Sequence, residues 1–284
     1  MRTDNLKFSH ASPNTAMIES TNGIELFTKE SIVENAKASL MLIHGLGEYC
    51  ERYKHVIKAF NKIGVNVYTF DLRGHGHSTG ERAFVTNLDE YREDVENVYR
   101  SIPKDLPFFV LGHSLGGLIV THFLLFNERS DVRGVILSGS ALEAGEDVTP
   151  LKQKIIRLLA KVSPKIKTVK LNPADLSRNK NTVEAYKNDP LIYHDGGKAG
   201  LAVALLNGIE LQKKRFSQFD YPVLIMHGGA DKITNPEGSK SLYAQSKSTD
   251  KMLKIWEGAF HEIFNETNQD EVIDYSTAWL KHRI

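Results

Sequence analysis

The sequence is short of most features that would tie it to a disulfide scaffold, a membrane or a nucleic acid. It has one cysteine in 284 residues, Cys50, so no disulfide can form within the chain, and such usage fits a reducing compartment. The plain reading of Cys50 is a small buried thiol. The formal net charge is +1, from 36 Lys and Arg against 35 Asp and Glu, too little to draw the whole chain to nucleic acid or to an anionic surface. No apolar run approaches the ~18 residues of a membrane-spanning helix. Residues 1–10 also lack the apolar core of a signal peptide, so the expected location is the cytoplasm. There is no glycine-rich phosphate loop after a strand and no interleaving of basic and aromatic residues, which argues against a nucleotide cofactor and a nucleic-acid partner. His75-x-His77 has metal-like spacing, yet no acidic or thiolate partners complete a ligand set, so neither metal nor cofactor is expected.

What is present is a rhythm. Short apolar runs flanked by turn residues recur at Ser39–Ile43, Val65–Phe70, Phe108–Leu111, Val135–Leu137, Val223–Met226 and Met252–Trp256. Helix-period stretches lie between several of them, such as Tyr53–Lys62, closed by Gly64, and Leu88–Ile102. Continuous apolar strands alternating with amphipathic helices predict an α/β fold whose mainly parallel sheet is covered on both faces. Ile18–Lys29, with Asn22-Gly23 inside, reads as a hairpin leading into that sheet. With 41% hydrophobic residues, the chain can bury a full core and fits a single domain, residues 1–284.

One interval breaks the rhythm. About 80 residues separate the strand ending near Ser140 from the one starting near Tyr221, far more than a crossover needs. The surplus reads as a cap inserted over about 145–215. Within it, Leu151, Ile155, Ile156, Leu158, Leu159 and Val162 share one helix face, and residues 151–170 carry seven basic side chains and no acidic one. Such a helix could touch an anionic membrane surface transiently, although a solvated face is the simpler reading.

The most informative segment runs Pro107-Phe-Phe-Val-Leu-Gly112-His-Ser114-Leu-Gly116-Gly117 into the apolar stretch Leu118–Phe126. A serine hydroxyl is a poor nucleophile until a sharp turn exposes it beside a base and beside donors for an oxyanion. Glycines two before and two after Ser114 let strand and helix approach closely around it, and the helix N-terminus then points free N–H groups at the reaction centre. Gly76-His77-Ser78-Thr79-Gly80 repeats the spacing, but six residues separate the nearest strand from His77 and charged Glu81-Arg82 follows. Ser78 is therefore expected in a loop.

A serine of this kind needs a carboxylate and a histidine at strand ends on the same rim, in the order Ser, acid, His. Asp231 follows the strand at 221–227 across Gly228-Gly229-Ala230, and His261 follows the strand at 252–256 across a short turn. Asp220 precedes its strand, His282 is near the C-terminus and His113 lies inside the elbow, so none of them serves. The oxyanion donors are expected to be the backbone N–H groups of Leu115 and of Leu46 in the His44-Gly45-Leu46-Gly47 loop.

With these residues in place, the chain resembles the α/β-hydrolase superfamily and, within it, the monoacylglycerol lipase and lysophospholipase-like group. The motifs that carry the likeness are His44-Gly-Leu-Gly-Glu48 with Arg52-Tyr53, Asp71-Leu-Arg-Gly-His-Gly-His-Ser78, Gly112-His-Ser-Leu-Gly-Gly117, Gly229-Ala-Asp231 and Glu257-Gly-Ala-Phe-His261. Ser177-Arg178 and Asn188-Asp-Pro-Leu191 in the cap are also similar. The resemblance implies an eight-stranded, mainly parallel sheet with helices on both faces and a helical cap between strands 6 and 7. It also implies a serine esterase acting on a single-chain lipid ester, monoacylglycerol first, with lysophospholipid, or another carboxylic ester or thioester on the same site, as the alternative. Glu48 and Arg52 match positions that line the family's polar head-group pocket, which makes them candidates for substrate contact. Four residues apart, they could equally pair with each other. An aromatic residue, Phe264, stands where some members carry a polar one.

Overall fold

In the computed structural model, which describes residues 14–145 and 148–284, the apolar runs become the strands of one large sheet. The reading of residues 1–10 lies outside the described residues. The hairpin forms from β1 (Thr15–Glu19) and β2 (Glu25–Ser31), paired antiparallel. A short helical turn joins them, in which Asn22 and Gly23 take φ of 60° and 72°. Then come β3 (Ala38–Ile43), helix α1 (Lys54–Lys62), β4 (Val65–Phe70), α2 (Asp89–Ser101), β5 (Phe108–His113), α3 (Leu115–Phe126) and β6 (Val132–Ser138). The insertion follows as α4 (Pro150–Val162), β7 (Lys167–Val169), α5 (Lys180–Asn188), β8 (Gly197–Lys198) and α6 (Ala199–Lys213). The chain then returns through β9 (Val223–Gly228), α7 (Pro236–Gln245), β10 (Lys251–Trp256) and α8 (Gln269–Lys281).

The large sheet has eight strands in the order β1-β2-β4-β3-β5-β6-β9-β10, and every pairing from β4 to β10 is parallel. β3, β5 and β9 are buried along their whole length, which is why they read as continuous apolar runs rather than as alternating ones. Two cores result. On one face, Tyr53, Val56 and Phe60 beside α1 and Ile273 and Trp279 of α8 pack on Leu40, Leu42 and Leu224. On the other, Tyr91 and Val95 of α2 and Leu118 and Phe123 of α3 pack on Met41, Val110 and Val135. α3 is buried from Leu115 to Leu124, since it also lies beneath α6.

This layout places the site. The strand order reverses at β3, whose neighbours are β4 and β5, so the loops leaving the carboxyl ends of β3 and β5 run to opposite sides and leave a crevice between them. The insertion leaves the sheet after β6, its sixth strand, and rejoins it at β9, its seventh. Its α4 packs on α6, and α6 packs on α3. Among the described residues, no helix is long and apolar enough to cross a membrane.

Candidate active site

Ser114 sits at the junction of β5 and α3 with φ 53° and ψ −118°, a conformation that costs a non-glycine residue about 1–3 kcal/mol and that only the surrounding structure can enforce. The enforcement is visible in the glycines. A Cβ on Gly116 would lie 2.2 Å from the Ile43 carbonyl oxygen, and one on Gly112 would lie 2.5 Å from the Gly116 carbonyl oxygen. Strand, helix and the end of β3 therefore meet backbone to backbone around the serine.

The structure brings Ser114, His261 and Asp231 together. His261 Nε2 is 2.8 Å from Ser114 Oγ, and His261 Nδ1 is 2.7 Å from Asp231 Oδ2. The acid and base loops are locked to each other by Ala230 N–H donating to the Ala259 carbonyl at 2.9 Å and Gly229 N–H to the Trp256 carbonyl at 2.8 Å. The Asp231 side chain is buried and richly supplied with donors. Its Oδ1 accepts from the Ile233 and Thr234 N–H groups at 2.8 and 3.0 Å, and the Thr234 hydroxyl lies 2.9 Å from Oδ2. Burial alone would favour the neutral acid, but His261 and His227 hold this carboxyl far below the usual range. Burial likewise opposes a charge on His261, and Asp231 outweighs it, so the imidazole pKa lies above the ordinary value.

Two histidines that the sequence reasoning passed over shape the surroundings. His227, at the end of β9, presents Nε2 3.1 Å from Asp231 Oδ2 and Nδ1 2.7 Å from the Ser239 hydroxyl. Its position four residues before Asp231 on a strand end was the available signal. His44 accepts the Leu72 N–H at Nε2, 2.9 Å, leaving Nδ1 to donate to the Gly45 carbonyl at 2.8 Å, which shapes the loop after β3. His113 is fully buried with its ring 4.9 Å from that of His261. Burial and the neighbouring His261 push its pKa down to about 4. Among the described residues, the backbone N–H groups of Leu46 and Leu115 have no acceptor within the chain.

Glu48 and Arg52 do pair, Oε2 to Nη1 at 2.7 Å, and a third group joins them. Arg52 also binds Glu262 with both Nη1 and Nη2, each at 2.7 Å. Burial disfavours the Glu48 carboxylate, but Arg52 and the nearby imidazoles of His113 and His44 hold its pKa down at about 2. Of the groups set aside, Asp220 lies on the surface near Lys247, at 3.5 Å, and His282 caps α8. Ser78 donates to the Asp71 carbonyl at 2.5 Å and accepts from the Phe27 N–H at 2.9 Å. His75 is buried, with Nδ1 2.9 Å from the Arg73 carbonyl oxygen; no group of three metal-ligating side chains occurs among the described residues. Burial pushes the Cys50 thiol far above the range in which a thiolate forms.

Two pockets adjoin at Leu46 and Leu171, and one of them opens on Ser114. One is apolar and is lined by Leu115, Ala141, Ile156, Ala202 and Leu205 together with Ser114 itself. The other is more polar, with Gly47, Lys170, Tyr186, Lys187 and His194. Leu46 and Leu171 line both.

Residues 34–268 match the family described as serine aminopeptidase S33, a hydrolase family. The chain belongs to this family. It is 35% identical over 246 residues to a monoacylglycerol lipase of Mycolicibacterium smegmatis, covering 85% of this chain and 87% of that one. It is 34% identical over 249 residues to an abhydrolase domain-containing protein of Dictyostelium discoideum, covering 87% of this chain but only 26% of that longer protein. The crystal structure of a Paleococcus ferrophilus monoacylglycerol lipase superposes with a TM-score of 0.84 at 31% identity, covering 92% of this chain and all of the other. The protein is thus a hydrolytic enzyme of the α/β-hydrolase fold, as the motifs implied.

Proposed function

We propose that this chain hydrolyses the acyl ester of a single-chain glycerolipid, monoacylglycerol first, through an acyl-enzyme on Ser114. The observation that carries the proposal is the unbroken relay from Ser114 Oγ through both nitrogens of His261 to a buried Asp231 carboxylate. Asp231 holds the imidazole with its proton on Nδ1, so Nε2 is free to take the proton of Ser114 as the hydroxyl attacks the carbonyl. The charge that develops on the substrate oxygen falls to the N–H groups of Leu46 and Leu115, which have no other acceptor among the described residues. His261 then returns the proton to the departing alcohol, and water repeats the sequence to release the acid.

The pockets support the choice of ester. The apolar one suits an acyl chain, and the segment over about 145–215 acts as the cap that roofs it, with Ile156 of α4 and Ala202 of α6 in its lining. The second, with Lys170, Tyr186 and His194 in its lining, would take the alcohol. Relatives bearing the name monoacylglycerol lipase favour glycerol there. A second reading, lysophospholipid, draws on Lys170 and Lys187 beside that pocket, which would attract a phosphate. On the outer side of α4, Leu151 and Val162 are 68% and 77% exposed beside the basic residues of the same helix, an arrangement that suits transient contact with an anionic lipid surface.

Fatty-acid release from a medium-chain monoacylglycerol and from a lysophospholipid of the same chain, with Ser114→Ala as blank, tests the proposal. Faster release from the glyceride is expected. Faster release from the lysophospholipid would favour the second reading, and none from either would refute both.

A further inference from the structure

The loop that follows the base contains a buried acid with no part in the relay. Glu262 is 3% exposed and both its oxygens are bound by the Arg52 guanidinium at 2.7 Å. Such a fork-to-fork pair fixes orientation as well as distance. Arg52 reaches on to Glu48 Oε2, and Glu48 Oε1 in turn accepts the Gly45 N–H at 2.6 Å and the Tyr53 hydroxyl at 2.7 Å. The Tyr186 ring covers the guanidinium, 5.2 Å from its centre. A continuous chain of charge-assisted contacts thus runs from the residue after His261 to the residue before Leu46. Those two loops leave β10 and β3, which are separated in the sheet by β5, β6 and β9. No strand pairing connects them directly.

We propose that Glu262 is a positioning residue for the base: through Arg52 and Glu48 it straps the His261 loop to the loop bearing the Leu46 N–H, so that base and oxyanion donor keep one geometry. The inference rests on the roles given above to His261 and Leu46. It differs from them in assigning the Arg52 fork to the protein rather than to a substrate head group. An arginine whose Nη atoms are both taken by buried carboxylates has little left for a glycerol. The strap also adds charge near the base. His261 is faced by Asp231 from the acid loop, by His113 from β5, and by Glu262 and Glu48, whose negative charges favour its protonated form; Arg52 offsets part of this as the cation between them.

The test compares wild type, Glu262→Gln and Arg52→Lys on two esters, a medium-chain monoacylglycerol and p-nitrophenyl butyrate, which has no glycerol. A strap predicts that kcat falls by about 10- to 100-fold on both esters by the same factor, with KM little changed, since a small misplacement of reacting groups costs that much. It also predicts that the acid limb of kcat/KM moves to lower pH in Glu262→Gln. A loss confined to the glyceride and expressed in KM would make Arg52 a head-group contact and overturn the proposal. So would a lower melting temperature with kcat and pH profile unchanged. Glu262→Gln is nearly isosteric and keeps one acceptor for the guanidinium while losing the charge and the second acceptor, so it remains informative if Arg52→Lys does not fold. Should wild type turn over neither ester, the functional reading fails on its own. The rate of fluorophosphonate attack on Ser114 then decides the strap: slower in Glu262→Gln supports it, and equal to wild type overturns it.

Discussion

The chain contains the pattern Gly-His-Ser-x-Gly twice, at 76–80 and at 112–116, and the two copies have opposite fates. Ser78 lies in a loop packed under β2, and its hydroxyl is consumed by the backbone, donating to Asp71 and accepting from Phe27. Ser114 stands between a strand and a helix in a left-handed conformation, and its hydroxyl meets an imidazole. The five residues are nearly the same. What differs is the backbone on either side. Phe108–His113 and Leu115–Phe126 are a buried strand and a buried helix that clamp the turn, whereas the first copy follows a looped segment in which side chains, those of Asp71 and Tyr49, rather than backbone press against Gly76. On the proposed reading, what would make Ser114 a nucleophile is the strain its flanks sustain and the imidazole that faces it, not the pentapeptide.

Several experiments would break or sharpen this contrast. The largest expected effect is on Ser114→Ala, which should lower kcat by about 10⁵- to 10⁶-fold, while Ser78→Ala leaves kcat near wild type. Steady-state hydrolysis by the two purified variants checks both, and an inactive Ser78→Ala of native stability would reverse the assignment. Asp231→Asn comes next. It keeps the shape of the side chain but removes the charge that fixes the imidazole tautomer, and kcat should fall by about 10⁴-fold. An effect below about tenfold would mean that His227 or Thr234 supports the base without Asp231.

The pH profile probes the same relay more gently. His261 acts only when neutral, and Asp231 raises its pKa in the folded protein. Activity should therefore decline as pH falls through a value above the ordinary histidine figure of about 6.5. Asp231 itself stays ionised throughout, because its carboxyl is held far below the usual range. A kcat/KM profile flat down to about pH 4.5 would contradict the role of His261. The smallest effect is structural. Ser78→Ala strands the Phe27 N–H and the Asp71 carbonyl, and should cost about 1–3 kcal/mol of stability in denaturant unfolding without touching kcat.

The contrast between the two serines is legible in the sequence, because strand and helix periodicity reach across the motif and show what clamps it. The same reasoning placed Asp231 and His261, whose positions after apolar strands put them on one rim. The parallel sheet followed from β3, β5 and β9, whose burial on both faces leaves near-continuous apolar runs. What the sequence hid was contact between distant loops. Nothing in the pattern around Glu262 shows that Arg52, 210 residues earlier, binds it, since a bidentate ion pair across two loops leaves no period. His227 reads as one more polar residue at a strand end until the turn folds Asp231 back onto it. The outward face of α4 was equally ambiguous: a helix with an apolar stripe looks the same in sequence whether the stripe is buried, as at Ile156, or left open, as at Leu158.

The most direct test of the central claim is to react the wild-type protein with a fluorophosphonate and locate the adduct by peptide mapping. The account predicts one modified residue, Ser114, in the segment between β5 and α3, with labelling lost in Ser114→Ala and retained in Ser78→Ala. An adduct on Ser78, or an unlabelled wild-type protein, would contradict it.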